Sequence, residues 1–166
     1  MGKSEEYLKE AFAGESQANR KYLAFAKTAD DEGHSQAARL FRAAAAAETV
    51  HAHNHLRTLG GIGSTEENLK AAIDGETHEF EHMYPEMIEG ARGEGNKAAE
   101  RTFRFANEVE KTHARLYQSM LDNLGSSGGE GFPYYVCPVC GHTAEREAPG
   151  VCPVCGAKGE LFERID

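Results

Sequence analysis

The chain has no tryptophan, no long apolar run and no leader-like pattern at its start. A helix that spans a bilayer needs about 20 consecutive apolar residues. No membrane span is therefore expected, and a soluble, non-exported, cytoplasmic protein is. Positive charge is also short: 18 Lys and Arg stand against 27 Asp and Glu, a net charge of −9. That balance argues against nucleic acid or an anionic membrane as a main partner. Part of the negative charge is expected to face bound cations. Cysteine is missing from everything before Cys137; the four cysteines then fall in two Cys-x-x-Cys pairs within residues 137–155, with none left over. In a cytosolic setting such pairs more often hold a metal than form disulfides. At 166 residues the chain suits one domain of ordinary size, or a larger domain with a small appendage.

Helix formers dominate up to about residue 124, and Gly-rich breaks divide that stretch into four. The first predicted helix runs from Ser4, an N-cap followed by Glu5 and Glu6, to near Glu32, with Gly33 as its stop. The second starts near Ser35 and ends before Gly60-Gly61. Ser64 with Glu67 three residues later forms a capping box for the third, which stops near Gly93 and should be kinked by Pro85. Asn96 opens the fourth, which ends around Leu124. Residues 125–131 carry no apolar side chain, and all but Glu130 are Gly or Ser. Such a segment predicts a flexible linker, placed at residues 125–132. From residue 133 the composition turns to Pro, Cys, Gly and aromatics. The expected architecture is an all-α four-helix bundle over residues 1–124 and a small four-cysteine metal domain over residues 133–166.

Within the helical part the chain repeats itself. Ala11-Phe12-Ala13-Gly14-Glu15-Ser16 is echoed by Ala72-Ile73-Asp74-Gly75-Glu76-Thr77, and Glu48-Thr49-Val50-His51 by Glu110-Lys111-Thr112-His113. Each half supplies a lone Glu and then a Glu-x-x-His. Two such sets, one element per helix, match the ligands of a di-iron or di-manganese carboxylate site inside a four-helix bundle. The acids also interrupt the apolar stripes: Glu15 follows Leu8 and Ala11, Glu48 follows Leu40 and Ala44, Glu76 follows Leu69 and Ile73, and Glu110 follows Phe103. Unpaired buried carboxylates cost several kcal/mol each or protonate, so several converging on one core require cations. The i, i+3 spacing lets Glu and His reach one centre from one helical turn, and mixed imidazole and carboxylate suit iron, manganese or zinc.

The halves differ at one position: Glu79 lies three residues after Glu76, where the first half has Ala18. An extra carboxylate on one side would let two metals treat an incoming ligand differently at its two ends. Tyr22 and Tyr84 follow Glu15 and Glu76 by about two turns, so their hydroxyls could serve ligand carboxylates or bound oxygen species. Capping the bundle core is an equally common use of tyrosine.

Cys137-Pro138-Val139-Cys140-Gly141 and Cys152-Pro153-Val154-Cys155-Gly156 form two knuckles. This arrangement signals a tetrahedral four-thiolate site in which Gly after each second Cys permits close backbone approach. Spacing alone leaves the metal open between a structural zinc and a one-electron iron. Attachment to a di-iron bundle favours iron, with zinc as a substitute. Tyr134, Tyr135 and Phe162 are the expected aromatic core around it.

Gly14-Glu15, Glu48-x-x-His51, Glu76-x-x-Glu79 leading to Met83-Tyr84-Pro85, Glu110-x-x-His113 and both knuckles together closely resemble rubrerythrin. The resemblance covers nearly the whole chain and implies a ferritin-like di-iron bundle followed by a rubredoxin-like domain. It further implies a peroxidase that reduces hydrogen peroxide to water in oxidative-stress defence. Glu48 and Glu110 would bridge the irons, with Glu15, Glu76, Glu79, His51 and His113 as terminal ligands. Glu79 and His51 would be the pair between which one iron moves with redox state, and Tyr22 and Tyr84 match the family's tyrosines near the metals. Cys137, Cys140, Cys152 and Cys155 would hold a third iron that relays single electrons. An external donor, such as a rubredoxin or an NAD(P)H-dependent reductase, and a homodimer with or without exchanged helices are implied as partners. Two rivals stand beside this reading: a ferroxidase of the ferritin class, and a non-enzymatic bundle with a zinc ribbon.

Overall fold

No proline precedes Pro85, and Ala, Glu, Lys and Leu fill the first half of the chain, so long helices are its natural local state. The protein is seen here as a computed structural model that describes residues 2–125 and 131–166. Residues 126–130, most of the expected linker, lie outside the described residues. By its contacts the chain divides into two compact units, the first running to Gly63 and the second from Ser64 to Asp166.

The first unit is a pair of helices, α1 (Lys3–Asp31) and α2 (Ser35–Thr58). Gly2, in extended conformation, precedes α1 without any side-chain cap, so Ser4 lies inside the first turn rather than capping it. Glu5 and Glu6 still place negative charge where the helix dipole favours it. Gly33 ends α1 at φ 82. Its N–H bonds Asp30 O at 3.0 Å, and that of His34 bonds Ala29 O at 2.7 Å, the paired bonds of a Schellman turn that requires a left-handed residue. Ala26 and Ala29 of α1 and Ala38, Ala45 and Ala52 of α2 are the buried residues of the pair. Such small side chains let the two backbones approach closely. Asn19 joins the helices by donating Nδ2 to Ala45 O at 2.7 Å and to Thr49 Oγ1 at 2.9 Å.

The second unit opens with the capping box expected from Ser64 and Glu67: Ser64 N–H donates to Glu67 Oε2 at 2.7 Å, and Glu67 N–H donates to Ser64 Oγ at 3.3 Å. Here α3 (Thr65–His78) passes into a π-helical turn (Glu79–Met83) and then α4 (Tyr84–Gly93). The bend expected at Pro85 thus takes the form of a widened turn. Proline has no N–H to give and would crowd the carbonyl four residues back, and the chain meets this by bonding Tyr84 N–H to Glu79 O. Next, α5 (Lys97–Asp122) starts on Asn96, whose side chain accepts from Ala99 N–H at 3.1 Å. Glu100 is buried against Arg92 at 3.3 Å and Lys97 at 3.1 Å, which ties α5 to the end of α4.

The chain then forms an antiparallel sheet in the order β2-β1-β3, from β1 (Tyr134–Val136), β2 (Thr143–Glu145) and β3 (Glu163–Ile165). Three residues per strand bury little, and the core is Cys137, Cys152 and Phe162 with Tyr135, Ala148 and Val154 around them. A core this small calls for a metal or another cross-link to hold it. The fold class is the expected one, helices of ferritin-like type followed by a small four-cysteine sheet domain. Among the described residues no helix is long and apolar enough to cross a membrane.

Candidate metal centres

In the second unit, Glu76 on α3 meets Glu110 and His113 on α5. The i, i+3 pair puts His113 Nδ1 2.8 Å from Glu110 Oε2, and Glu76 Oε1 lies 3.7 Å from the same nitrogen. The first unit repeats this geometry. His51 Nδ1 stands 2.8 Å from Glu48 Oε2 and 3.8 Å from Glu15 Oε1. The repeat seen in the sequence is therefore a repeat of side-chain constellations. Each triad offers two carboxylates and one imidazole with ligand atoms within 4.8 Å of one another, a donor set fitted to a divalent first-row metal.

The triads differ in their surroundings. Burial, then the Glu110 charge, pushes the Glu76 carboxyl up to about 7, with His113 pulling the other way and Glu79 adding to the rise. Glu79 is raised by burial and then by Glu110, so the extra acid of the sequence does lie within the field of this triad. It sits on the π turn, a distortion that recurs at functional sites. Tyr84 also belongs here, because burial and then Glu79, Glu110 and Glu76 raise its hydroxyl. Glu76 and Glu79, both raised, hold protons more readily in the absence of a cation and release them to one. Tyr22 stands in different company: its ring packs 6.3 Å from both Phe25 and Phe41.

The four cysteines converge as expected. Cys137 Sγ lies 3.6 Å from Cys155 Sγ, and Cys140 Sγ lies 3.6 Å from Cys152 Sγ. A disulfide would need about 2.05 Å, whereas a tetrahedron with metal–sulfur bonds of about 2.3 Å has edges of about 3.8 Å. The sulfurs fit a metal. Against the cost of burial, N–H groups of Cys155 and Val154 and the thiols of Cys140 and Cys155 draw Cys152 down to about 7. Burial pushes Cys140 and Cys155 up. Cys152 is thus close to a thiolate near neutrality, and Cys140 and Cys155 would lose their protons as a cation enters.

Two contacts escaped the sequence reading. Asn19 docks α1 onto α2 beside Glu48, as described above. Thr143 Oγ1 lies 3.0 Å from His113 Nε2, on the far side of that ring from Glu110. Neither residue has a sequence signature, since each depends on a partner 26 to 30 positions away.

A family model described as Rubrerythrin matches residues 6–121, and one described as the rubredoxin-like domain of rubrerythrin matches residues 135–163. Rubrerythrin-2 of Clostridium acetobutylicum is 39% identical over 153 residues, covering 83% of this chain and 83% of that protein. Nigerythrin of Nitratidesulfovibrio vulgaris is 34% identical over 161 residues, covering 89% and 79%. The solved structure of nigerythrin in a partially reduced state superposes with a TM-score of 0.60 at 33% identity, covering 99% of this chain and 88% of that one. The fully reduced, all-ferrous state of nigerythrin gives 0.60 at 32% identity over the same shares.

Proposed function

The chain belongs to the rubrerythrin family, and on that premise we propose that it is a non-haem di-iron peroxidase that reduces hydrogen peroxide to water. The observation that carries this reading is the coexistence, in one chain, of two Glu/Glu/His triads and a four-thiolate site. Glu15, Glu48, His51, Glu76, Glu79, Glu110 and His113 would hold the metal pair. Cys137, Cys140, Cys152 and Cys155 would hold a third iron. When bound, the paired irons supply two electrons for cleavage of the O–O bond and positive charge for the developing oxide, and the thiolate-bound iron returns electrons one at a time.

The remaining tasks fall to the protein. The Glu79 carboxyl lies in the field of the Glu76–Glu110–His113 triad and gives this side one more acid than the other. Tyr84, its hydroxyl raised, keeps its proton at neutral pH and serves as a hydrogen-bond donor there. Tyr22, about two turns after Glu15 on α1, would serve the first triad. The domain plan is the helical part to residue 124, the linker, and the four-cysteine domain from residue 133.

The working form is proposed to be a cytoplasmic homodimer, with helices exchanged between chains as one arrangement. In support, Leu23, Phe25, Leu40 and Val50 on α1 and α2 are exposed, apolar surface that a partner chain would cover. The electron donor is taken to be a rubredoxin or an NAD(P)H-dependent reductase.

Stoichiometry tests the reading. Iron-loaded protein supplied with reductant and peroxide should consume one peroxide per two electrons, with no net oxidation of added Fe(II). Steady oxidation of Fe(II) with growth of a ferric mineral would identify a ferroxidase instead.

A further inference from the structure

Thr143 opens β2 just past the first cysteine knuckle, and its hydroxyl lies between two partners. It donates to the Gly141 carbonyl at 3.2 Å and stands 3.0 Å from Nε2 of His113 on α5. A threonine hydroxyl has one proton to give and lone pairs to receive. With its proton directed at Gly141, it receives from His113 Nε2–H. That tautomer leaves Nδ1, the nitrogen facing Glu110 and Glu76, free as a lone pair. A metal-binding histidine works in this way, one nitrogen on the cation and the other donating to a fixed acceptor.

The knuckle itself fixes the acceptor. Gly141 N–H bonds Cys137 O at 2.9 Å and Cys137 N–H bonds His142 O at 2.9 Å, while the His142 N–H reaches the Cys140 sulfur. Thr143 is the next residue, so its place depends on the closed loop. Beside the bond lies a cavity of about 280 Å³ lined by Leu69, Leu116, Tyr117, Met120 and Tyr134 as well as His113 and Thr143. These mostly apolar walls offer the imidazole N–H few other acceptors.

We propose that Thr143 is a positioning residue that couples the two kinds of metal site. Closure of the four-cysteine loop presents its hydroxyl to His113 Nε2–H and so tightens the grip of His113, Glu110 and Glu76 on a cation. By linkage, a cation in that triad favours the closed loop to the same degree. The proposal rests on these three residues being ligands, as assigned under the proposed function, but not on peroxide being the substrate.

The test uses the full chain with zinc in the four-cysteine site, titrated with Mn(II) and followed by the electron paramagnetic resonance signal of the free ion. Thr143→Val keeps the side-chain shape without the hydroxyl and should weaken Mn(II) binding by about 10- to 100-fold, the usual effect of losing a partner of a ligand histidine. Thr143→Ser should bind like the wild type. Opening the loop with Cys137→Ser and Cys140→Ser should weaken binding alike, and Thr143→Val should add nothing in that background. Wild-type affinity in Thr143→Val would overturn the proposal, as would an equal loss in both backgrounds or no recovery with Ser. If the Val variant fails to fold, retention of full Mn(II) affinity by the loop-opened protein overturns it as well. Absence of Mn(II) binding by the wild type would instead sink the ligand assignment and the coupling with it.

Discussion

In α5, Nδ1 of His113 lies 2.8 Å from Oε2 of Glu110, one turn earlier on the same helix. A single helical turn thus presents a ready-made pair of donors, and Glu48 with His51 presents another at the same distance. Glu110→Ala or Glu48→Ala should abolish binding of the metal pair while the four-cysteine site stays loaded. Metal analysis of the purified variants reads this directly. Two metals retained in the helical part, together with full peroxide turnover, would show that these carboxylates are not ligands.

The crowded acids set a pH dependence for the metal-free protein. Glu76 has its carboxyl raised to about 7 by burial and by Glu110, so between its ordinary value of 4.5 and about 7 the folded state binds more protons than the unfolded one. Stability therefore falls as pH rises through that window. Urea unfolding in the presence of a chelator should give a lower midpoint at pH 8 than at pH 5, and Glu76→Gln should flatten the difference. A midpoint that rises with pH in the wild type, other groups being matched by the variant, would contradict the assigned direction.

Much of this was legible before any coordinates. The duplicated Glu and Glu-x-x-His are legible because an acid breaks the apolar stripe, and a broken stripe is visible at helical spacing. The capping box of Ser64 and Glu67 was legible because both bonds are local. Ser4 is no cap, because Gly2, two residues earlier and in extended conformation, holds the N-cap position with no side chain to announce it. Pro85 gave away a disturbance but not its form: the π turn depends on where the freed carbonyls find partners. Thr143 and Asn19 were invisible, because a hydroxyl or amide gains its meaning from a neighbour far along the chain.

The Cys152 thiol is drawn down to about 7. Cys152→Ser should remove the metal from the four-cysteine site and stop turnover driven by an external donor. Chemically reduced protein should still undergo one oxidation by peroxide. Donor-driven turnover that persists with this site metal-free would refute the relay role of the cysteine-bound iron.

Asn19 bridges α1 and α2 with one amide group. Removing hydrogen bonds of this kind costs about 1–2 kcal/mol, so Asn19→Ala should lower the stability of the first unit by about that much in chemical denaturation. Asn19→Asp, similar in shape but without the N–H donor, should cost at least as much. An unchanged stability in both variants would show that the alanine seam alone holds the pair.

Anaerobic stopped-flow absorbance of the fully reduced, iron-loaded protein reads whether it is a peroxidase supplied by iron in its four-cysteine site. It would be mixed with hydrogen peroxide and, separately, with oxygen. The expected result is rapid oxidation of both kinds of iron centre by peroxide, with oxygen much slower. Faster reaction with oxygen, or no iron-dependent colour from the four-cysteine site, would contradict it.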